Sequence, residues 1–552
     1  MPGLAAGPPT GELLTNELIH NGADFHAAAP PQVRWRSDGV SFSALEPLHA
    51  AAQQRPAAGA STTLQQRMER DERQLDSGEI GAGGLIEDRA VATDRLGAPE
   101  MELVSYCVAT GDRVIVCSAR QLTPAGHSRA VPVADYSWSE DGSKLLVFTN
   151  AQKVWRNNTR GDYFVVDILN NGIAEKVAPG QDDACQMYAK FSPDGQWVGW
   201  VWHNNLWVQR LSSGTVTQLT KDGLPGHGGM APIINGNFDW AHEEELSLKD
   251  GWRWSPDSSR IAYWQLDTSG VQWFNIIDNT TATPYTTTMS LPYPKVGTQN
   301  STSRIGVVAV CSSSSGGGDS SAGRELQTKW LDLGLLSASG APAEYYLASL
   351  DWVNNCKLAV QRLSRSQTRV DVLLVDSSTG RSTVAFSDSD ACWVDISPHM
   401  HWLDDESFVW LSDRSGTTRQ VYIVTTGTGD GECMPLMREP LQPLDGVDEF
   451  VEVISVVSVD KLSKMVYFIG GNSKKSTERR LYSLSLDLVL SSDNTAAHLR
   501  QRPQLLTPQS SSDARSSSYH GGSHGYIIAP GGRWAVHTVS SFGVPPQVCT
   551  IK

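Results

Sequence analysis

The chain is 552 residues long, 40% hydrophobic and 19% charged, a balance that excludes an intrinsically disordered protein. Its formal net charge of −15 argues against nucleic acid or an anionic membrane surface as a partner and fits a cationic ligand such as a peptide amino terminus. No run of about 18 apolar residues occurs, so no membrane-spanning helix is expected, and the eight dispersed cysteines include no Cys-x-x-Cys pair that would mark a zinc or redox site.

Residues 1–30 read as an irregular segment that lacks the basic region and apolar core of a signal peptide, so a cytoplasmic location is the expectation. The sequons at Asn157, Asn279 and Asn300 are then read as chance. From residue 31 onward a pattern repeats. Trp35-Arg36-Ser37-Asp38-Gly39 is its first copy, followed by an insertion near 48–84 whose Arg, Glu and Gln content predicts a helix from about Leu64 to Leu75. Trp138-Ser139-Glu140-Asp141-Gly142-Ser143-Lys144, Phe191-Ser192-Pro193-Asp194-Gly195-Gln196 and Trp254-Ser255-Pro256-Asp257-Ser258 are its clearest copies, and each precedes an apolar run. Each copy reads as strand, tight turn, strand: Pro presets φ, Asp caps the turn and Gly supplies positive φ.

Between the last two of these copies lies the most unusual segment, Asp239-Trp240-Ala241-His242-Glu243-Glu244-Glu245. Adjacent carboxylates repel and need a cation nearby. Two of them aimed into a cavity would receive one ammonium group; the plain alternative is a solvated acidic face. Consecutive residues of a strand alternate faces, so convergence of two carboxylates predicts a short helical turn or bulge from about Asp239 to Leu246. Weaker repeats follow at Asp351-Trp352, Trp402-Leu403, near Ser463 to Phe468 and at Ala529 to Trp534, with a low-complexity insertion near 312–323 and another such stretch at 510–518. A four-stranded unit recurring roughly every 40 to 60 residues is the signature of a β-propeller. The predicted fold is therefore all-β: a propeller of about eight four-stranded blades over residues 31–552, with a short helical insertion. Closure of such a ring predicts that the repeats near Trp35 and Trp534 lie close together.

Three segments together resemble the N-terminal propeller of the dipeptidyl peptidase IV family of serine exopeptidases. They are the Asp239–Glu245 stretch, similar to the family's DWxxEE element; Val154-Trp155-Arg156-Asn157-Asn158-Thr159-Arg160-Gly161-Asp162-Tyr163, similar to its Trp-Arg segment; and Pro292-Tyr293-Pro294-Lys295-Val296-Gly297, similar to its YPKAG segment. The similarity runs from about residue 85 to the C-terminus. It implies that Glu244 and Glu245 grip a substrate's free α-amino group and that Arg156 holds a substrate backbone carbonyl. A surface salt bridge is the plain alternative for Arg156. The implied role is the substrate-gating, N-terminus-recognising propeller of a serine protease, with a peptide bearing a free amino terminus as ligand and a hydrolase domain or a second copy as partner. The alternative is a stand-alone, non-catalytic propeller that serves as an interaction scaffold.

The family's Ser-Asp-His chemistry belongs to an α/β-hydrolase domain, which is not legible in these residues, so no catalytic residue is assigned and the chain by itself is expected to be inactive. Gly521-Gly522-Ser523-His524-Gly525 matches G-x-S-x-G, and His227-Gly228-Gly229 mimics an oxyanion-hole motif. A nucleophile elbow needs a buried strand before it, a helix after it, and an acid then a histidine downstream; no Asp or Glu follows Ser523. His399-Met400-His401 alternates like a ligand pair but has no third ligand, and no phosphate-binding or dinucleotide fingerprint occurs, so neither metal nor cofactor is expected.

Overall fold

The computed structural model describes residues 33–48, 100–224, 231–281, 283–310, 327–334, 344–396, 400–416, 419–426, 432–436, 451–472, 477–486, 503–507, 522–541 and 544–552. The segment 1–30, nearly all of the 48–84 insertion with its predicted helix, the stretches 312–322 and 510–518, His227 and His399 lie outside these residues. The chain divides into two compact units, one of Met1–Ala44, Cys107–Gly111 and Leu436–Lys552, the other of Leu45–Tyr106 and Asp112–Pro435.

The second unit is built from antiparallel four-stranded meanders. Asp135–Trp138, Lys144–Lys153, Asn158–Asp167 and Glu175–Lys176 form one; Gln186–Phe191, Trp197–Trp202, Asn205–Arg210 and Val216–Gln218 form the next, and a short antiparallel pairing at Arg160↔Met187 and Gly161↔Gln186 joins the two into one eight-stranded sheet. Then come Trp252–Trp254, Arg260–Asp267, Thr302–Ala309 and Lys329–Trp330, the set from Tyr345–Trp352 to Ser382–Ser389, and the set from His401–Trp402 to Glu432–Pro435.

The predicted turns form as their side chains dictate. Ser139 Oγ and the Ser143 amide both donate to Asp141 Oδ1, at 2.6 and 2.9 Å, while the Lys144 amide donates to Ser139 Oγ at 2.9 Å and Gly142 sits at φ 69°. The serine hydroxyls and the Ser143 amide hold the Asp141 carboxyl down at about 2. The same wiring recurs at Ser192/Asp194 with Gly195 and at Ser255/Asp257, where Ser258 takes the left-handed position at φ 62°. The apolar runs after the turns are buried almost continuously, and Trp200, Trp252, Trp264 and Trp410 are completely buried. Three of these indoles find acceptors, on Gln181, Leu347 O and Asp388, as buried N–H groups generally require.

Departing from this pattern, the hairpin Trp273–Asp278 with Thr287–Pro292 is exposed along its entire first strand.

The first unit contains Val451–Asp460, Met465–Asn472, Arg479–Ser485, Gln504–Leu505, Ser523–Ile528, Ala535–Ser541 and Val544–Ile551 in one sheet. Val33–Trp35 belongs to the same unit, and the Trp35 indole donates to Ile527 O at 2.8 Å. The first and last repeat segments thus meet within this unit.

Candidate functional site

A strand of the third meander is broken in two. Ile233–Asn235 and Trp252–Trp254 both pair with the strand Arg260–Asp267, at Asn235↔Gln265 and Trp252↔Tyr263. Residues 236–251 leave the sheet between them. The base of this excursion is pinched by two glycines: the Gly251 amide donates to Gly236 O at 3.0 Å and the Trp264 amide to Gly251 O at 3.0 Å. A Cβ on Gly251 would lie 2.7 Å from the Gly236 carbonyl carbon, and Gly236 holds φ 74°, so both positions need the smallest residue.

The excursion carries the only α-helix among the described residues, Trp240–Leu246. Asp239 caps it: Oδ1 accepts from the His242 amide at 3.0 Å, and Ser247 ends it at φ 56° in the left-handed region. The cap is buried and fully used. Asp239 Oδ1 also faces His242 Nδ1 at 2.7 Å, and Oδ2 accepts from Ser301 Oγ at 2.6 Å. Burial would raise the Asp239 carboxyl, but His242 and these hydrogen bonds outweigh it and hold the group below its ordinary value.

The helical turn expected for convergence is therefore present. Successive side chains rotate by about 100°, and the three glutamates enter three environments. Glu243 is buried, Glu244 is half-buried and Glu245 is exposed. Burial pushes the Glu243 carboxyl up, the hydrogen bond from Asn157 and the charge of Lys249 oppose that, and Glu244 adds repulsion.

Opposite the helix stands a hairpin tip. Strands Lys144–Lys153 and Asn158–Asp167 are joined by residues 154–157, and the Val154 amide donates to Asn157 O at 3.0 Å. Arg156, with its side chain 77% exposed, forms an ion pair with Glu244. Asn157 Nδ2 donates to Glu243 Oε1 at 3.0 Å and Asn157 Oδ1 accepts from Lys249 Nζ at 3.1 Å. Glu245 has no ion pair among the described residues. The third motif arrives as an aromatic wall: Tyr293 packs on Trp240 with ring centroids 4.5 Å apart and on Phe274 at 5.5 Å. Three segments distant in sequence thus share one place. Sequence reasoning singled out Arg156, Glu244 and Glu245 but missed Asn157, Glu243 and Lys249. The only available signal for Asn157 was its place next to Arg156, and the sequon reading obscured it.

Ser523 opens the strand Ser523–Ile528, with strand rather than helix after it. Its neighbour His524 is buried and lies 2.8 Å from His537 across the ladder. This is not a nucleophile elbow. No group of three metal-ligating side chains occurs among the described residues.

Comparison with known proteins identifies the family. Residues 139–546 match the model of the dipeptidyl peptidase IV (DPP IV) N-terminal region. The chain belongs to that family. Relatives include a probable dipeptidyl peptidase 4 of Emericella nidulans, 29% identical over 394 residues that cover 68% of this chain and 45% of the relative, and one of Aspergillus flavus, 26% identical over 394 residues that cover 68% of this chain and 46% of that protein. The inactive dipeptidyl peptidase 10 of Mus musculus is 25% identical over 365 residues, 65% of this chain and 42% of that protein. The chain spans under half the length of these curated relatives. The crystal structure of Porphyromonas gingivalis dipeptidyl peptidase 4 superposes with a TM-score of 0.70 at 18% identity, covering 98% of this chain and 60% of that one. The fold is that of the family's β-propeller region.

Proposed function

We propose that this chain is the substrate-gating, N-terminus-recognising propeller of a dipeptidyl peptidase IV-like serine protease, working with a hydrolase domain that supplies the Ser-Asp-His chemistry. The observation that carries the reading is the meeting of Arg156 with Glu244 beside Glu245, which has no ion pair among the described residues. A peptide's α-ammonium between Glu244 and Glu245 would make charge-assisted hydrogen bonds to both. Arg156, paired with Glu244, would donate to a backbone carbonyl of the same peptide. Internal peptide segments carry no ammonium and would leave two carboxylates uncompensated, so the pair would restrict entry to chain ends.

The test supplies the chain, in cis or in trans, with a family hydrolase domain and measures release from Xaa-Pro reporters. Glu244→Gln or Glu245→Gln each removes one charge-assisted bond and should lower kcat/KM by about 10- to 100-fold. The loss falls on kcat/KM because ground state and transition state both carry the ammonium. Equal cleavage of free and N-acetylated reporters by the unmodified protein would refute the reading. A second reading, a non-catalytic binding propeller, is favoured by the match to the inactive dipeptidyl peptidase 10 of Mus musculus. Under it, the chain serves as a protein-interaction scaffold, and the naturally occurring protein releases no dipeptide and does not distinguish free from N-acetylated peptides.

A further inference from the structure

The Arg156–Glu244 ion pair is a poor candidate for what fixes its own geometry. Arg156 is mostly in solvent, where ion pairs are weak and salt-screened. The hairpin ladder beneath it is irregular: pairing shifts register between Thr149 and Gln152 and again between Gln152 and Lys153. The backbone near the tip therefore offers limited guidance to residue 156.

Asn157, next in the chain, is held on three sides. Its carbonyl closes the turn onto the Val154 amide, its Nδ2 donates to Glu243 Oε1, and its Oδ1 accepts from Lys249 Nζ just beyond the helix. Glu243 is only 6% exposed and Asn157 is half-buried, so their bond is shielded on the helix side, and losing it leaves a largely buried carboxylate without that partner. The amide suits both neighbours at once, offering a donor to a carboxylate and an acceptor to an ammonium; the reversed amide would aim like against like at each. Aspartate at 157 would put two carboxylates in contact.

We propose that Asn157 and Glu243 are positioning residues that staple the Arg156 hairpin to the glutamate helix and so set where Arg156 meets Glu244. This rests on the reading of Arg156, Glu244 and Glu245 together as the seat of a peptide's amino-terminal residue. The staple needs an acceptor oxygen at 243, not a charge, so glutamine serves there and alanine does not.

Two measurements on the full chain test this, using Asn157→Asp, Glu243→Ala and Glu243→Gln. The first is amide hydrogen exchange of residues 154–160 without peptide. The second is calorimetric binding of a free-amine Xaa-Pro tripeptide against its N-acetylated form. Asn157→Asp and Glu243→Ala should speed exchange about 10-fold and weaken tripeptide binding about 10-fold, while Glu243→Gln stays within about twofold in both. Asn157 lies at a half-exposed tip, so the Asn157→Asp arm stands even if Glu243→Ala compromises folding. Equal behaviour of Glu243→Ala and Glu243→Gln, or unchanged exchange in Asn157→Asp, overturns the staple. If the unmodified chain fails to distinguish free from acetylated tripeptide, the amine-receptor reading falls instead, and the exchange measurement still decides the staple.

Discussion

Replacing Asp239 should show how much of the site depends on one buried carboxylate. Asp239→Ala removes the N-cap of the Trp240–Leu246 helix, which costs about 1 kcal/mol. It also strips the acceptor from two buried donors, His242 Nδ1 at 2.7 Å and Ser301 Oγ at 2.6 Å, and an unsatisfied buried donor costs about 1–3 kcal/mol. Relaxation around Ser301 reduces the sum, so a loss of roughly 3–4 kcal/mol is expected. Asp239→Asn keeps an acceptor for the His242 amide and ring and lets the Ser301 hydroxyl turn to accept, so about 1 kcal/mol is expected. Urea unfolding followed by tryptophan fluorescence at pH 7 reports the difference. Because the folded-state pKa of Asp239 lies below the usual 3.8, the contribution is fully present above about pH 4 and fades as pH falls through the lowered value. Equal losses for alanine and asparagine, or a loss below about 0.5 kcal/mol for alanine, would refute the claim that this cap organises the helix.

Further predictions concern the excursion's base and the C-terminal sheet. Gly251→Ala places a methyl 2.7 Å from the Gly236 backbone and should destabilise the second unit by about 1–3 kcal/mol; unchanged urea unfolding would contradict the pinch. Burial, and then the charge of His524, push His537 down from 6.5 to about 4. A histidine kept neutral by folding contributes its stability above the unfolded pKa and loses it as pH falls from about 6.5 towards 4, up to roughly 3 kcal/mol. His537→Gln should flatten that slope, and an identical pH profile in the variant would disprove the assignment.

The parts of this molecule legible from sequence are those governed by local chemistry. The Ser-x-Asp-Gly turns announce themselves because the same few residues that cap the turn are the turn, as at Ser139–Lys144. The helix at 240–246 was legible for a steric reason: a strand cannot turn Glu244 and Glu245 to one side. What stayed hidden depends on chain segments that meet only in the fold. Nothing near Asn157 signals that Glu243 waits across the gap. The stretch Trp273–Asp278 carries four large apolar side chains, yet among the described residues it pairs only with Thr287–Pro292 and stands in solvent. Burial there is a property of neighbours that the local sequence does not encode.

The glutamate run is best understood as three different residues. Helical rotation sends Glu243 inward, where burial makes charge costly and an amide hydrogen bond from Asn157 satisfies it. It leaves Glu244 at the boundary, where Arg156 balances it, and puts Glu245 in water with no ion pair among the described residues. A strand would have placed Glu243 and Glu245 on one face and Glu244 on the other. A longer helix would have carried more side chains past the hairpin tip; this one is stopped at Ser247. The short capped turn, pinched at Gly236 and Gly251, is what lets one acidic tripeptide hold a neighbouring loop through Glu243, pair with Arg156 through Glu244 and leave Glu245 with no ion pair among the described residues.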